Sequence, residues 1–199
     1  RGSGGAHGRF EGPRRGGLRL VEAGCDVDQA TKNGATPAFI AAQKGQTTAL
    51  GLLVKAGCDV NHADEDGSTP AFIAAFECQT AALELLVEAG CDVNQADKFG
   101  GTPAYVAAYK GRTAALEVLL FEAPGFDVNQ AEKDGKTPAY AAAREGQTAA
   151  LGLLLTRGCN VNQAAKDGLT PAHIAAQNGR TAALDLLLKV PGCDVNQAD

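Results

Sequence analysis

Cysteine and histidine are the side chains of this chain that could act as nucleophiles, general bases or metal ligands. The 199 residues include six cysteines and three histidines, His7, His62 and His173. No two of these side chains have the spacing of a zinc-binding pair. No G-x-S-x-G or H-E-x-x-H sequence is present either. We therefore expect no catalytic residue, no metal site, no cofactor and no enzymatic activity.

The cysteines and aspartates recur at a fixed interval along the chain and do not gather into one cluster. The equivalent positions are Cys25, Cys58, Cys91, Cys159 and Cys193, and Asp59, Asp92, Asp127 and Asp194. Packed helices lie about 8–10 Å apart, whereas bridged cysteines need Cα atoms within roughly 7 Å. We therefore expect small buried thiols that stay reduced. Reduced thiols favour an intracellular protein, and we expect a cytoplasmic one.

A repeated motif, Gly-x-Thr-Pro-Ala, sets the interval. Its copies contain Thr36-Pro37, Thr69-Pro70, Thr102-Pro103, Thr137-Pro138 and Thr170-Pro171, at spacings of 33, 33, 35 and 33 residues. A period in this range indicates a stacked array of small units, each of which contacts only its neighbours. An array of this kind presents a binding surface more often than an active site.

Each unit predicts a turn, a short helix, a loop, a longer helix and an extended return. In the second unit Thr69 is a candidate N-cap, and Pro70 suits the first helical position, where no N–H is needed. A Leu-rich stretch predicts the second helix, which ends at Gly90 because glycine adopts positive φ without strain. We predict an all-α solenoid of helix-turn-helix units with short β-hairpin-like tips.

The unit resembles the ankyrin repeat, whose signature is G-x-T-P-L-H-x-A-A-x-x-G followed by a Leu-rich helix and G-A-D-V-N. The resemblance runs from Leu18 to Asp199. It implies that the asparagines of the return segments are structural residues. These asparagines are Asn61, Asn94, Asn129, Asn162 and Asn196.

The chain departs from the family signature at three positions. The Leu of the motif is Ala in every copy, and the His is kept only as His173, which we expect to be structural. The other copies carry Phe39, Phe72, Tyr105 and Tyr140, for which we predict ring stacking between copies. The glycine between the two helices is Cys78 in the second copy. If its backbone is left-handed, Cys78 costs roughly 1–2 kcal/mol relative to glycine.

The repeat pattern divides the chain into a leader and one domain. We predict a flexible, Gly/Arg-rich leader at 1–17 and an ankyrin repeat domain at 18–199. The domain contains a partial repeat at 18–30 and full repeats at 31–63, 64–96, 97–131, 132–164 and 165–198. The third repeat has two extra residues in its return loop, where Phe126 replaces the cysteine. Phe126 either fills the space of the cysteine or contacts a partner.

The two ends of the sequence carry expectations of their own. The chain begins with Arg1 and contains no Met, from which we expect a processed form or a piece of a longer protein. No polar closing repeat is visible before Asp199. We therefore expect an uncapped apolar end, which could contact another chain.

Charge and hydropathy weigh against two classes of partner. The net charge is −5, and residues 1–17 carry +3, which leaves −8 on residues 18–199. An acidic array is a poor binder of nucleic acid. Binding through the basic leader is an alternative, and its affinity would depend steeply on salt. No apolar run approaches the roughly 18 residues of a membrane span. We expect neither nucleic acid binding nor a membrane span.

Positions that differ between copies are the candidate binding residues, because ankyrin partners usually contact the tips and the exposed side of the first helix. The candidates are Phe76, Phe99, Tyr109, Arg144, Lys44, Lys110, Glu77, Lys98, Lys133 and Gln177. Phe76, Tyr109 and Arg144 are equivalent residues of successive units, so we expect them on one face about 10 Å apart. Aromatic and Arg side chains are enriched at binding hot spots. The alternative is that they cover the neighbouring helix.

The function that the resemblance implies is non-catalytic recognition of another protein through the tips and the inner helix face. A first alternative is a structural spacer or peripheral subunit of a larger assembly. A second is the docking arm of an enzyme whose catalytic part lies outside this chain. Truncating Phe76 and Tyr109 to Ala should abolish partner recognition through the inner face. It should spare assembly through the end of the array.

Overall fold

The computed structural model describes residues 26–194, and the regular secondary structure within them is helical. The described residues form five successive helix pairs. The pairs are α1 (Pro37–Gln43) and α2 (Thr47–Lys55), α3 (Pro70–Glu77) and α4 (Thr80–Glu88), α5 (Pro103–Lys110) and α6 (Thr113–Phe121), α7 (Pro138–Glu145) and α8 (Thr148–Thr156), α9 (Pro171–Gln177) and α10 (Thr181–Leu188). The predicted leader, residues 18–25 of the partial repeat and Asn196 lie outside the described residues.

The first helix of every pair begins at a buried threonine followed by proline. In α3 the Oγ1 of Thr69 accepts the N–H of Phe72 at 3.1 Å, and Pro70 holds the first helical position. This cap satisfies one of the N–H groups that a helix start leaves without an intrahelical partner. In α9, His173 completes a capping box, since its Nδ1 accepts the N–H of Thr170 at 3.3 Å and its own N–H donates to Thr170 Oγ1 at 3.4 Å. His173 is therefore a structural residue.

A left-handed residue follows most first helices and turns the chain toward the second helix. Gly111 and Gly146 cap α5 and α7 with φ of 67° and 73°. Cys78 caps α3 with φ 59° and ψ 38°, which is the left-handed conformation. A side chain is unfavourable there because the Cβ approaches the following carbonyl oxygen.

Alanines of the first helices and leucines of the second helices form the core. Ala74, Ala75 and Leu83 are fully buried, and their counterparts in the first four repeats are buried as well. In the fifth repeat Ala176 is exposed and Leu184 is only partly buried. Small side chains let first helices pack against first helices, and second helices against second helices. Of the aromatic residues that replace the motif His, Phe39 and Tyr140 are buried. Their ring stacking stays a prediction.

Hydrogen bonds of asparagine side chains tie each return segment to the next. The pairs are Asp92 N to Asn61 Oδ1 (2.7 Å), Asp127 N to Asn94 Oδ1 (3.0 Å), Asn160 N to Asn129 Oδ1 (2.7 Å) and Asp194 N to Asn162 Oδ1 (2.9 Å). The described asparagines are therefore structural residues. Phe126 stands in the cysteine row, half-buried against the core.

Candidate functional site

Backbone hydrogen bonds join the five tips into a continuous row, which we call the tip ridge and define as residues 32–33, 65–66, 98–99, 133–134 and 166–167. Each tip donates an N–H to a carbonyl of the preceding tip. The bonds are Glu65 N to Asn33 O (3.0 Å), Lys98 N to Asp66 O (2.8 Å), Lys133 N to Phe99 O (3.1 Å) and Lys166 N to Asp134 O (2.7 Å). Because these bonds fix the tip backbones, the side chains of the ridge project from a rigid base.

Three of the predicted binding residues lie on this ridge. Lys98, Phe99 and Lys133 are exposed, and the Phe99 side chain is 69% exposed. An exposed aromatic ring offers a large apolar area that a partner can cover. Phe99 therefore is a candidate contact for another molecule.

A second group of predicted residues meets where α3 and α5 lie side by side. The Nζ of Lys110 lies 4.8 Å from the ring centre of Phe76 and 5.6 Å from that of Tyr109. Both rings are half-buried, whereas Lys110 is exposed. A cation over an aromatic face is attracted to the electron-rich ring. The ammonium group of Lys110 thus contacts both rings.

The ends of the first helices are held in place by side chains from the next repeat. The carbonyl of Phe76 accepts from Nε of Arg112 at 3.2 Å, and the carbonyl of Arg144 accepts from Nε of Arg180 at 3.1 Å. These bonds satisfy carbonyl groups that the end of a helix leaves open. They also fix the backbone from which Phe76 and Arg144 project. Sequence reasoning missed this pair of arginines, although both stand at the same position of their repeats.

Arg144 continues the line of Phe76 and Tyr109 on α7. Its side chain is exposed, and its Nε lies 3.6 Å from Glu145 Oε1. An exposed ion pair of this length contributes little to stability, so the guanidinium is available to another carboxylate. We call Phe76, Tyr109, Lys110 and Arg144 the inner-face cluster.

The remaining predicted residues surround this cluster. Glu77 is exposed at the end of α3, and Gln177 is exposed at the end of α9. Lys44 is exposed after α1, where it lines a mostly apolar groove of about 440 Å³ together with Ile40 and Leu53. Residues 1–25 directly precede this groove in the chain and lie outside the described residues.

The family model of ankyrin repeats matches the chain three times, at residues 17–97, 52–131 and 104–199. The chain belongs to the ankyrin-repeat family. Ankyrin repeats are generally non-catalytic modules for protein–protein interaction. A comparison with curated proteins finds no significant match.

The ankyrin framework also explains the chemistry of the thiols. Burial is the main cause that raises the pKa of Cys58, Cys91 and Cys159 to about 11. A thiol with such a pKa stays protonated near neutral pH and is a poor nucleophile. The five cysteines among residues 26–194 carry free thiols. Cys58 and Cys159 are small core residues of the ankyrin repeats, and Cys91 and Cys193 pack against the core.

Two further properties of residues 26–194 bear on partners. No group of three or more His, Cys, Asp or Glu in this range is arranged to hold a metal ion. No helix in the same range has the length and hydropathy that a membrane crossing requires.

Proposed function

We propose that this ankyrin-repeat chain binds a partner protein through the inner-face cluster and the tip ridge, without catalysing a reaction. The observation that carries the proposal is the position of Lys110 over the rings of Phe76 and Tyr109, two aromatic side chains of adjacent repeats. The proposed contacts are Phe76, Phe99, Tyr109, Arg144, Lys44, Lys110, Glu77, Lys98, Lys133 and Gln177.

The cluster has the properties of a preorganised hot spot. The rings of Phe76 and Tyr109 are half-buried, so they lose little rotamer freedom when a partner covers them. Lys110 has no ion-pair partner among the described residues and would meet a partner carboxylate over an apolar base. Aromatic and Arg side chains contribute most strongly when neighbouring contacts exclude water. Glu77, Lys44 and Gln177 are exposed polar residues suited to that surrounding contact.

The proposal also includes an intracellular location. The free thiols of Cys58, Cys91 and Cys159 support it, because oxidising compartments favour disulfides. A structural spacer would use other surfaces for its contacts. The docking arm of an enzyme would need a catalytic part outside this chain. Each of these readings therefore becomes a distinguishable outcome of a binding test.

The test is affinity purification of partners with the wild-type chain and with the variant Phe76→Ala/Tyr109→Ala/Arg144→Ala. We expect the variant to lose at least about 90% of a specific partner, because it removes more than 1.4 kcal/mol of contact. The matched control is Lys55→Ala/Glu88→Ala/Thr156→Ala, which changes three exposed residues at equivalent positions of the second helices. We expect this control to keep the partner.

Loss of partner must be separated from loss of fold, since Phe76 packs against the core. The variant Lys110→Gln removes only the exposed ammonium group. It should weaken binding of the same partner and leave the thermal unfolding curve unchanged. If both binding variants retain the partner, contact through the inner face is wrong and the structural reading is favoured.

A further inference from the structure

Three consecutive tips carry an exposed lysine at the same position. Lys98, Lys133 and Lys166 each use the backbone N–H to bond the preceding tip, at 2.8, 3.1 and 2.7 Å. Their backbones therefore advance by one repeat at a time along the tip ridge. None of the three ammonium groups has an ion-pair partner among the described residues, and all three side chains are exposed.

Most carboxylates of the same tips are engaged by their own turns. The contacts are Phe99 N and Gly101 N to Asp97 Oδ1 (2.9 and 2.7 Å), Lys136 N to Glu132 Oε1 (3.2 Å), Leu169 N to Asp167 Oδ1 (3.1 Å) and Lys136 Nζ to Asp134 Oδ2 (3.0 Å). These carboxylates stay charged, and Asp134, whose side chain is 65% exposed, also interacts electrostatically with Lys166. The three ammonium groups themselves donate no hydrogen bond to the described residues and face solvent. The tip before them carries Glu65 and Asp66 at the equivalent positions, which ends the basic row at Lys98.

The spacing of this basic row selects among the conformations of an acidic segment. Adjacent repeats lie about 8–10 Å apart. A polyproline II helix has three residues per turn and rises about 3.1 Å per residue, so every third side chain shares a face at about 9.3 Å. A β-strand repeats on one face at about 6.7 Å, which does not match.

An α-helix would match only through every seventh residue, at about 10.5 Å. Helices bind by laying an apolar face into a groove. The tip ridge offers no such groove at Lys98, Phe99 and Lys133, which are all exposed. Two grooves of the described residues lie away from the tips, one by α1 and α2 and one between the loops that follow α7 and α9.

Phe99 adds an aromatic contact inside the basic row. Its ring, 69% exposed, follows Lys98 directly and precedes the tip of Lys133. Proline rings of polyproline II segments dock on exposed aromatic side chains, and the preformed helix loses little entropy. We propose that the tip ridge binds an acidic, proline-rich segment of the partner in polyproline II conformation, with a carboxylate at every third residue. This inference rests on the proposed function and names the partner chemistry for one part of that surface.

The experiment uses two fluorescent peptides of identical composition, GEPPEPPEG and GPPEEEPPG, titrated into the full 199-residue chain. The first has a carboxylate at every third residue, and the second has adjacent carboxylates. The variant Lys98→Ala/Lys133→Ala/Lys166→Ala removes the basic row. The control Lys55→Ala/Arg157→Ala/Lys189→Ala removes the same charge from exposed residues outside the tip ridge. Fluorescence anisotropy at low salt gives the affinity of both peptides for the wild-type chain and of the spaced peptide for each variant.

The spaced peptide should bind the wild-type chain at least about threefold more tightly than the clustered peptide. The basic-row variant should bind it about tenfold more weakly than the control variant, as expected for three exposed ion pairs. Equal affinity for both peptides would contradict the spacing argument. If the basic-row variant and the control variant lose affinity for the spaced peptide equally, only net charge matters. That result also overturns the proposal.

A single-stranded oligonucleotide of equal charge is the third ligand. If it binds the basic row as tightly as the spaced peptide, the ridge is a general polyanion surface and the proposal is wrong. The spaced peptide could fail to bind while the variant Phe76→Ala/Tyr109→Ala/Arg144→Ala still loses the partner. That result would overturn this inference alone. Failure of that inner-face test would overturn the proposed function, whatever the peptides do.

Discussion

Cys78 occupies the left-handed position after α3 that glycine holds at the ends of α5 and α7. Replacing it with glycine should therefore relieve backbone strain. We expect Cys78→Gly to raise the free energy of unfolding by about 1 kcal/mol, the lower part of the left-handed penalty, because glycine also loses more entropy on folding. Urea unfolding followed by circular dichroism measures this change.

The reverse substitution at an equivalent position is the control. A Cβ at position 111 would overlap the side-chain amide of Gln147, and the residue that carries it would have to adopt φ 67°. Gly111→Ala should therefore lower the free energy of unfolding by at least about 1–2 kcal/mol. A less stable Cys78→Gly variant would contradict the strain argument.

The sequence identified the position of Cys78 as unusual, because the four other copies of the same turn carry glycine there, but it left the backbone conformation open. It did not predict the position of Lys110, since the copies fix a helical position but not the rotamer of a long side chain. Lys110 could reach the ring of Phe76 in the neighbouring repeat only if α3 and α5 lay close enough together. That distance depends on packing, which periodicity does not contain.

At the scale of elements, Asn94 links two return segments and also holds the longer loop of the third repeat. Its Oδ1 accepts from Asp127 N at 3.0 Å, and its Nδ2 donates to Gly125 O at 2.7 Å. We expect Asn94→Ala to destabilise the fold by about 1–2 kcal/mol, because two hydrogen bonds are lost. Chemical unfolding at neutral pH measures the difference.

Asn129 provides the comparison within the same row of side chains. Its Oδ1 accepts from Asn160 N at 2.7 Å, and no second side-chain bond of Asn129 is found among residues 26–194. Asn129→Ala should therefore cost about half as much as Asn94→Ala. Equal losses would mean that the bond to Gly125 contributes nothing.

The start of each first helix was predictable from two residues, whereas the ties between helix ends were not. Thr69 and Pro70 carry local information, because the cap and the fixed φ act within one turn. The bond from Arg112 to the carbonyl of Phe76 joins residues 36 positions apart. A local pattern cannot indicate such a bond unless the stacking geometry is known.

For the whole molecule, the same stacking that buries alanine and leucine also lines up the variable residues. Equivalent positions recur once per repeat, so Lys98, Lys133 and Lys166 form a row while Phe76 and Tyr109 become neighbours. Fold class was therefore readable from periodicity alone. The binding surface was readable only as a set of positions, because charge pairing and exposure depend on contacts between repeats.

Photo-crosslinking tests the central claim, that the inner face and tips bind the partner, most directly. A photoreactive phenylalanine analogue replaces Phe99, Tyr109 or Phe121 in turn. Phe121 is the matched control, since its ring is 58% exposed but lies at the end of a second helix. We expect the same crosslinked partner from positions 99 and 109 and none from position 121. Crosslinking from position 121 alone would contradict binding through the inner face and the tips.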